Sequence, residues 1–310
     1  MLRAGELKIR PTSMKNTCIA LALWLVPPGA AAQRLEHFDV LLFSLPTPTD
    51  GLWRPTAPRF LTAFNPKGYN NQPAFFAPNE LYLTVQQPAD TTQTELYALN
   101  LLLNTSTRVT ATPTPEYSPT LMPGGRSFSA VRVEPDGAQR LWAFPTDRSG
   151  SGRPVLPDIT NVGYHCWLRD TLLALFLVGD NSANHALALV STTGRQQPTR
   201  IAFNIGRGLQ KMPDGRLAYI QKATEQTWFV KTYDLQKKTS EILVKTLPGS
   251  EDFIVLADGT LLAGSGPKLY QYHPNRQSDW KEVADWSRYG VQKITRLAAS
   301  TDGKLVAVVQ

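Results

Sequence analysis

The chain has 310 residues and a formal net charge of +7, with 42% hydrophobic and only 18% charged residues. Globular chains average about 25% charged residues, so this composition excludes a disordered or strongly solvating protein. Proline (24) and glycine (21) are both frequent, which favours a fold with many turns. The length allows either two domains or one large all-β domain.

The N-terminal segment predicts a secretory signal peptide. A nine-residue apolar run, Cys18–Val26, follows a short basic region and is too short to span a bilayer. Small residues precede a cleavage site near Ala32-Gln33, and Met14 is the more natural start, with residues 1–13 an upstream extension. No later segment is apolar enough to cross a membrane. We therefore expect a periplasmic or secreted protein whose mature part is residues 33–310.

Charge and cysteine content limit the partners of the mature chain. Residues 1–32 hold four of the 32 basic and one of the 25 acidic side chains, which leaves a net charge of +4. Because these charges are scattered, they do not form the basic stripe that nucleic-acid binding requires. Only Cys166 remains after cleavage, so we expect no intramolecular disulfide. We also expect a monomer.

A repeat with a period near 45 residues determines the predicted fold. One local pattern recurs six times: an apolar stretch, a two-residue turn and a second apolar stretch. Counted on the second turn residue, the spacings are 45, 45, 45, 44 and 44. The turns are Asn79-Glu80, Gly124-Gly125, Arg169-Asp170, Asp214-Gly215, Asp258-Gly259 and Asp302-Gly303. Asp-Gly and Gly-Gly supply the positive φ that tight hairpins need.

Further apolar stretches complete each repeat. In the unit that follows Asp214-Gly215, they are residues 217–220, 228–235 and a weaker run, 241–244. Proline-rich segments such as 112–115 and 154–157 predict loops between units. Four antiparallel strands in 40–50 residues are typical of a propeller blade. A β-sandwich would not produce so constant a period, and the apolar runs are too short for a helical repeat.

The two ends of the chain are predicted to share one blade. After the last turn, only one strand fits, Lys304–Val309, so that blade lacks its two outer strands. Phe38–Leu45 and Arg59–Thr62 supply them. We therefore predict an all-β, six-bladed propeller in a single domain, with four antiparallel strands per blade and the ring closed by a composite blade.

The repeats resemble those of the six-bladed TolB-like propellers, which have a WD-like repeat. The best match is Pro213–Tyr219 followed by Tyr233-Asp234-Leu235, and Ser300–Val306 and Tyr117-Ser118-Pro119 are other versions. The resemblance covers roughly residues 35–310 and implies the propeller fold. TolB itself has an N-terminal α/β domain, which the predicted mature chain does not have. The partners of TolB are therefore not transferred to this chain.

No nucleophile or cofactor motif is present in the sequence. There is no Gly-x-Ser-x-Gly, and Cys166, although beside His165, is interpreted as a buried structural thiol. The four histidines lack metal-ligand spacing. Residues 180–184 resemble a calcium loop but lack its glycine and terminal glutamate. We expect no cofactor, with calcium as a weak alternative.

The start of the innermost strands provides the candidate ligand-binding positions, because ligands of propellers meet the ends of the central channel. Polar residues five to eight positions before each turn are expected there. The candidates are Gln72, Glu116, His165, Arg207, Gln210, Glu251, Asp252 and Arg296, with Ser118 and Thr295 beside them. The alternative is a water-filled channel with a polar lining and no ligand.

Three tryptophans are a second kind of candidate. Trp53, Trp280 and Trp286 lie outside the inner strands, each near an arginine or lysine. Interfaces favour such residues and sugars stack on them, although packing between blades is the commoner use.

The sequence leaves three functions open. We favour a binding or scaffolding module for a protein or glycan partner in the cell envelope, since no catalytic set is present. The alternative is a metal-dependent enzyme of the lactonase kind, with Glu251 or Asp252 as channel ligands and Glu116 nearby. A purely structural role is the third.

Overall fold

The computed structural model describes residues 34–194 and 197–310. They form 24 strands and two short 3-10 turns, Ser182–Asn184 and Ser287–Tyr289. The strands are β1 (Val40–Ser44), β2 (Thr56–Phe60), β3 (Tyr69–Ala77), β4 (Glu80–Gln86), β5 (Glu95–Asn100), β6 (Thr105–Arg108), β7 (Glu116–Leu121), β8 (Ser127–Val133), β9 (Gln139–Pro145), β10 (Arg153–Pro154), β11 (Val162–Arg169), β12 (Leu172–Leu177), β13 (Ala186–Ser191), β14 (Thr199–Phe203), β15 (Ile205–Lys211), β16 (Leu217–Lys222), β17 (Trp228–Asp234), β18 (Thr239–Lys245), β19 (Phe253–Val255), β20 (Leu261–Ser265), β21 (Lys268–Tyr272), β22 (Lys281–Asp285), β23 (Arg296–Ala299) and β24 (Leu305–Val309).

The strands form six antiparallel sheets of four, and together these are the blades of a β-propeller. Blades 1 to 5 are β3–β6, β7–β10, β11–β14, β15–β18 and β19–β22, each in chain order from the inside outwards. Blade 6 has the order β23-β24-β1-β2. The first strand of each blade faces the central channel, and inner strands of neighbouring blades contact one another, for example β3 with β7 and β11 with β15. The predicted fold is confirmed.

Six hairpins join the inner strands to the second strands, at the turns that the sequence repeat marks. Gly215 and Gly259 have φ values of 86° and 89°, which a side chain would strain. In the second of these turns, Asp258 Oδ1 accepts a hydrogen bond from the Thr260 amide at 2.9 Å, as in an Asx-turn. The Asp-Gly pair therefore stabilises the tight turn between the inner strand and the second strand of its blade.

Blade 6 is composite, as predicted. β1 pairs with β24 in the register Leu41↔Val308, and β2 pairs with β1 on its outer side. The fourth strand covers residues 56–60 and not 59–62, because pairing with β1 begins at Thr56. The sequence predicts a loop at residues 154–157, but Pro154 lies in the outermost strand β10. Proline is tolerated there because the outer edge of the strand has no partner to which a backbone N–H would donate.

The hydrophobic core lies between the blades. Each sheet packs both faces against its neighbours, so β12 and β20 alternate little and are buried almost throughout. The cluster between blades 5 and 6, for example, contains Leu262, Trp286 and Val306, all at most 2% exposed. Over the part of the chain that the structure describes, no helix has the length and apolarity to cross a membrane.

Candidate site at the channel mouth

Five side chains converge where the inner strands begin, which is the end of the channel opposite the six hairpins. We call this end the mouth. The five come from five different blades, and we call them the channel cluster: Tyr69, Tyr164, Arg207, Asp252 and Arg296. Three of the five are among the residues that the sequence predicts. The two tyrosines are not.

Arg296 crosses the channel from blade 6 to the opposite blade 3. Its Nη2 donates a hydrogen bond to Tyr164 Oη at 2.9 Å, and its guanidinium carbon lies 5.2 Å from the centre of that ring. Its Nη1 is 3.9 Å from Asp252 Oδ2, which is a loose ion pair. The Arg296 and Asp252 side chains are 11% and 16% exposed, so solvent still reaches both.

Arg207 extends from blade 4 past blade 5. Its Nη2 donates to the Thr295 carbonyl in the segment before β23, at 2.6 Å. The register between β15 and β16 is interrupted around it, between Ile205 and Leu209. Gly206 and Gly208 flank it, and a Cβ on Gly208 would lie 3.0 Å from the Phe253 ring. The Gly-Arg-Gly sequence thus lets the backbone approach blade 5 while the arginine enters the channel.

The electrostatics of the channel cluster are dominated by two cations. Burial raises the pKa of Asp252, although Arg207 and Arg296 oppose this by favouring the carboxylate. Burial alone would lower the pKa of Arg296, but Tyr164 and Asp252 outweigh it and the pKa is raised. Burial also raises the pKa of Tyr69, which interacts electrostatically with both arginines. Two guanidinium groups therefore face a single carboxylate whose pKa is raised.

Strained backbone borders the mouth in blades 1 and 2. Gln72 and Ser118 have φ values of 53° and 55°, and each precedes a proline, Pro73 and Pro119. Left-handed backbone is unfavourable for such residues and is held only by its surroundings. Here the Ser118 amide donates to Gln72 Oε1 at 2.9 Å and also to a threonine hydroxyl at 3.2 Å. Gln72 therefore ties the two inner strands together.

Two predicted carboxylates are engaged in ion pairs of their own. Glu116 is fully buried in blade 2, where it accepts hydrogen bonds from Arg132 Nε at 3.0 Å and from the Thr112 hydroxyl. Burial raises its pKa to about 7. Glu251, beside Asp252, is ion-paired with Lys222 of blade 4. Both carboxylates are therefore already paired with a basic side chain of the protein.

His165 and Gln210 lie apart from the channel cluster. His165 Nε2 shares a hydrogen bond of 2.7 Å with Ser129 Oγ of blade 2, which also accepts one from Trp167 Nε1. Burial lowers the pKa of His165 to about 3. Ser129 is fully buried, so this pair stabilises the contact between blades and does not form an accessible nucleophile. Gln210 is near the hairpin end of β15.

Cys166 is on the opposite face of β11 from His165. It packs against the cluster between blades 3 and 4 and is partly buried. Burial raises the pKa of its thiol to about 12, which leaves it protonated and unreactive at neutral pH.

The residues at the mouth do not fit a cation. Asp252 faces two arginines and Glu251 faces a lysine, so a metal would meet charges of its own sign. Within residues 34–194 and 197–310, no group of three or more His, Cys, Asp or Glu is placed to hold a metal. In the calcium-like segment, Asp180 Oδ1 accepts from Asn184 Nδ2 at 2.6 Å, and Asn181 caps the short 3-10 turn.

The tryptophans are used mainly for packing between blades. Trp286 is only 2% exposed and stacks on Phe43 at 4.0 Å, so its interpretation as a binding aromatic is wrong. Trp53 packs partly against the same cluster, and its amide donates to Gln271 Oε1 at 2.8 Å. Trp280 Nε1 donates to the carbonyl of Lys245. These contacts fix loops to neighbouring blades.

Comparison with solved structures gives the same architecture. A protein assigned as TolB from Agrobacterium tumefaciens matches over 89% of this chain and 98% of its own, with TM-score 0.64 and 12% identity. The fold is that of the TolB-like six-bladed propellers. A chain of a nidogen/laminin complex matches with TM-score 0.61, 12% identity and coverage of 84% and 98%. The gluconolactonase XC5397 from Xanthomonas campestris matches with TM-score 0.56, 10% identity and coverage of 78% and 85%.

These similarities concern the fold alone, because all the identities are far below 25%. No family model matches the chain, and no curated protein sequence does. Proteins with this fold include both binding partners and enzymes by their printed names, so function has to be argued from the mouth.

Proposed function

We propose that this propeller is exported and acts as a binding module for a protein or glycan partner in the cell envelope. The N-terminal pattern of residues 1–32, which lie outside the described residues, supports export. The TolB and nidogen/laminin structures support a binding role by analogy of fold. A rigid ring of six blades would present the loops around its mouth to the partner.

The composition of the mouth carries this proposal. The polar groups of the channel cluster are two arginines, one carboxylate and two tyrosine hydroxyls, which are recognition groups without an activated nucleophile. The serine–histidine pair that the described residues contain, Ser129 and His165, is buried between blades. Arginine and tyrosine are enriched where binding energy is concentrated in interfaces.

The alternative of a metal-dependent lactonase is supported only by fold, through the gluconolactonase. Such an enzyme needs a cation to polarise a carbonyl or activate water. Here Asp252 is held beside Arg207 and Arg296, and Glu251 beside Lys222. These charges disfavour a divalent cation, so binding without catalysis is the better supported function.

Site-specific photo-crosslinking in cells tests the proposal. A benzoyl-phenylalanine would replace Lys293, an exposed residue in the segment that leads into β23 at the mouth. The matched control would replace Thr301, an exposed residue in the hairpin at the other end of the same strand. We expect a discrete protein or glycan adduct from position 293 and none from position 301. No adduct from 293, or equal adducts from both, would contradict binding at the mouth.

Export is tested separately on the full chain. Cell fractionation and N-terminal sequencing should find the mature protein outside the cytoplasm, beginning at Gln33. A cytoplasmic protein that retains residues 15–32 would refute this part of the proposal.

A further inference from the structure

The positive charge of the channel cluster is not neutralised by the protein. Arg207 and Arg296 face the single carboxylate of Asp252, and the neighbouring pair of Lys222 and Glu251 adds no net charge. Burying guanidinium groups is costly unless anions compensate them. Asp252 compensates poorly, because its Oδ2 is 3.9 Å from Arg296 Nη1 and its burial raises its pKa.

Hydrogen-bond donors in the cluster are also unused. Arg207 Nε is buried and has no partner in the described part of the chain, and Nη2 of the same side chain binds only a backbone carbonyl. Arg296 donates to a tyrosine hydroxyl and not to a carboxylate. A guanidinium carries five donors, and its fork matches the two oxygens of a carboxylate or phosphate. A buried donor without a partner is a place where an unseen ion or ligand is expected.

We propose that the channel cluster binds an oxyanion, a carboxylate or phosphate group, between Arg207 and Arg296. The inference rests on the proposed function, since the oxyanion would belong to the partner that docks at the mouth. Arg207 Nε and the free donors of Arg296 hold its oxygens. Tyr164 Oη, which already accepts from Arg296, has its own proton to donate. The same charges repel a divalent cation.

Oxyanion salts and a matched pair of variants test this site. Thermal unfolding of the purified full chain is followed in sodium phosphate, sodium acetate and sodium chloride at equal ionic strength. Phosphate also stabilises proteins generally by exclusion from their surfaces, so the informative quantity is the difference between variants. Arg207→Gln removes the unpartnered donor, and Arg200→Gln, on an exposed strand of blade 3, is the control.

We expect phosphate or acetate, at about ten times its Kd, to raise the Tm of the wild type and of Arg200→Gln by about 3 °C more than that of Arg207→Gln. An effect of phosphate alone would assign a phosphate group, and an effect of acetate alone a carboxylate. Broadening of the ³¹P resonance of phosphate by wild type and not by Arg207→Gln would support the same site. Equal Tm shifts in all three proteins would overturn the inference.

Two further measurements keep the test decisive. If Arg207→Gln does not fold, Arg207→Lys replaces it in the comparison. Arg207→Lys retains the positive charge but not the planar fork, so the oxyanion should raise its Tm less than that of the wild type. Photo-crosslinking from position 293 separates the two proposals. An adduct that forms in the wild type without any oxyanion effect would refute the oxyanion site and leave the binding function standing.

Discussion

Arg296 and Tyr164 are 132 residues apart in the chain and meet across the channel, with Nη2 and Oη at 2.9 Å. They belong to opposite blades, 6 and 3, so their hydrogen bond spans the ring at its mouth. Blade 6 is itself built from both ends of the described chain. This contact therefore links the closure of the ring to the geometry of the candidate site.

Tyr164→Phe tests the strength of that link. The variant keeps the ring beneath the guanidinium but removes the acceptor, and a hydrogen bond to a charged group contributes about 1.5–3 kcal/mol. We expect the free energy of unfolding, measured in urea, to fall by about that amount. Tyr270→Phe is the control, because its hydroxyl is in an exposed contact with Glu282 at 3.5 Å, and little change is expected. Equal effects of the two changes would contradict the account.

Phe43→Ala tests the composite blade. Phe43 of β1 is fully buried and stacks on Trp286 at 4.0 Å, which joins blade 6 to blade 5. Loss of a buried phenylalanine costs about 3–5 kcal/mol of unfolding free energy. Phe203→Ala, where the side chain is 55% exposed, should change stability by less than about 0.5 kcal/mol. A small effect at position 43 would mean that the N-terminal strand does not close the ring.

Glu116→Ala tests the buried ion pair of blade 2. The change leaves Arg132, whose side chain is 10% exposed, without its carboxylate, although it remains 4.0 Å from the centre of the Trp142 ring. Removing one member of a buried pair costs about 3–5 kcal/mol. Chemical denaturation at pH 8 measures the loss. Glu282→Ala breaks an exposed pair with Lys268 and should change little, and a similar loss in both variants would refute the assignment.

His165 predicts a pH dependence of stability. Burial lowers its pKa to about 3, whereas an unfolded histidine has a pKa of about 6.5. The folded state binds fewer protons between these values, so this contribution is complete above pH 6.5 and is lost as the pH falls towards 3. Between pH 7 and pH 5, wild type should lose about 2 kcal/mol more than His165→Gln. Parallel losses in urea titrations at the two pH values would contradict the buried neutral imidazole.

Glu116 does not confuse that comparison. Its pKa is raised to about 7, so its contribution decreases as the pH rises, which is the opposite sign. Both proteins contain Glu116, and the difference between them isolates His165.

The architecture could be predicted from the sequence because the information is local and repeated. Asp-Gly at positions 214-215 and 258-259 specifies a hairpin by its own backbone preference, and the even spacing of six such turns specifies the blades. The composite blade followed from strands left over at the two ends. None of these inferences required the position of a side chain in space.

The channel cluster could be predicted only in part, because bulges change the number of residues between the mouth and the hairpin turn of each inner strand. Tyr69 lies 11 residues before Glu80, while Arg296 lies seven before Gly303. The β3 register is interrupted between Asn71 and Ala74, so a fixed distance from the turn misses Tyr69. Tyr164 was not among the candidates, because the contact of its hydroxyl with Arg296 across the ring cannot be read from spacing along the chain. Glu116 was predicted as a ligand-binding residue because its buried ion pair with Arg132 cannot be read from spacing along the chain.

Thermal unfolding in the presence of metal ions tests most directly the claim on which the choice between the two functions depends, namely that the mouth is not a metal-dependent catalytic site. The full chain would be measured in EDTA and with calcium, magnesium, manganese and zinc, beside Asp252→Asn. The account predicts that no cation raises the Tm, because Arg207 and Arg296 flank the carboxylate. A rise with one ion that disappears in Asp252→Asn, together with lactone or ester turnover, would contradict it.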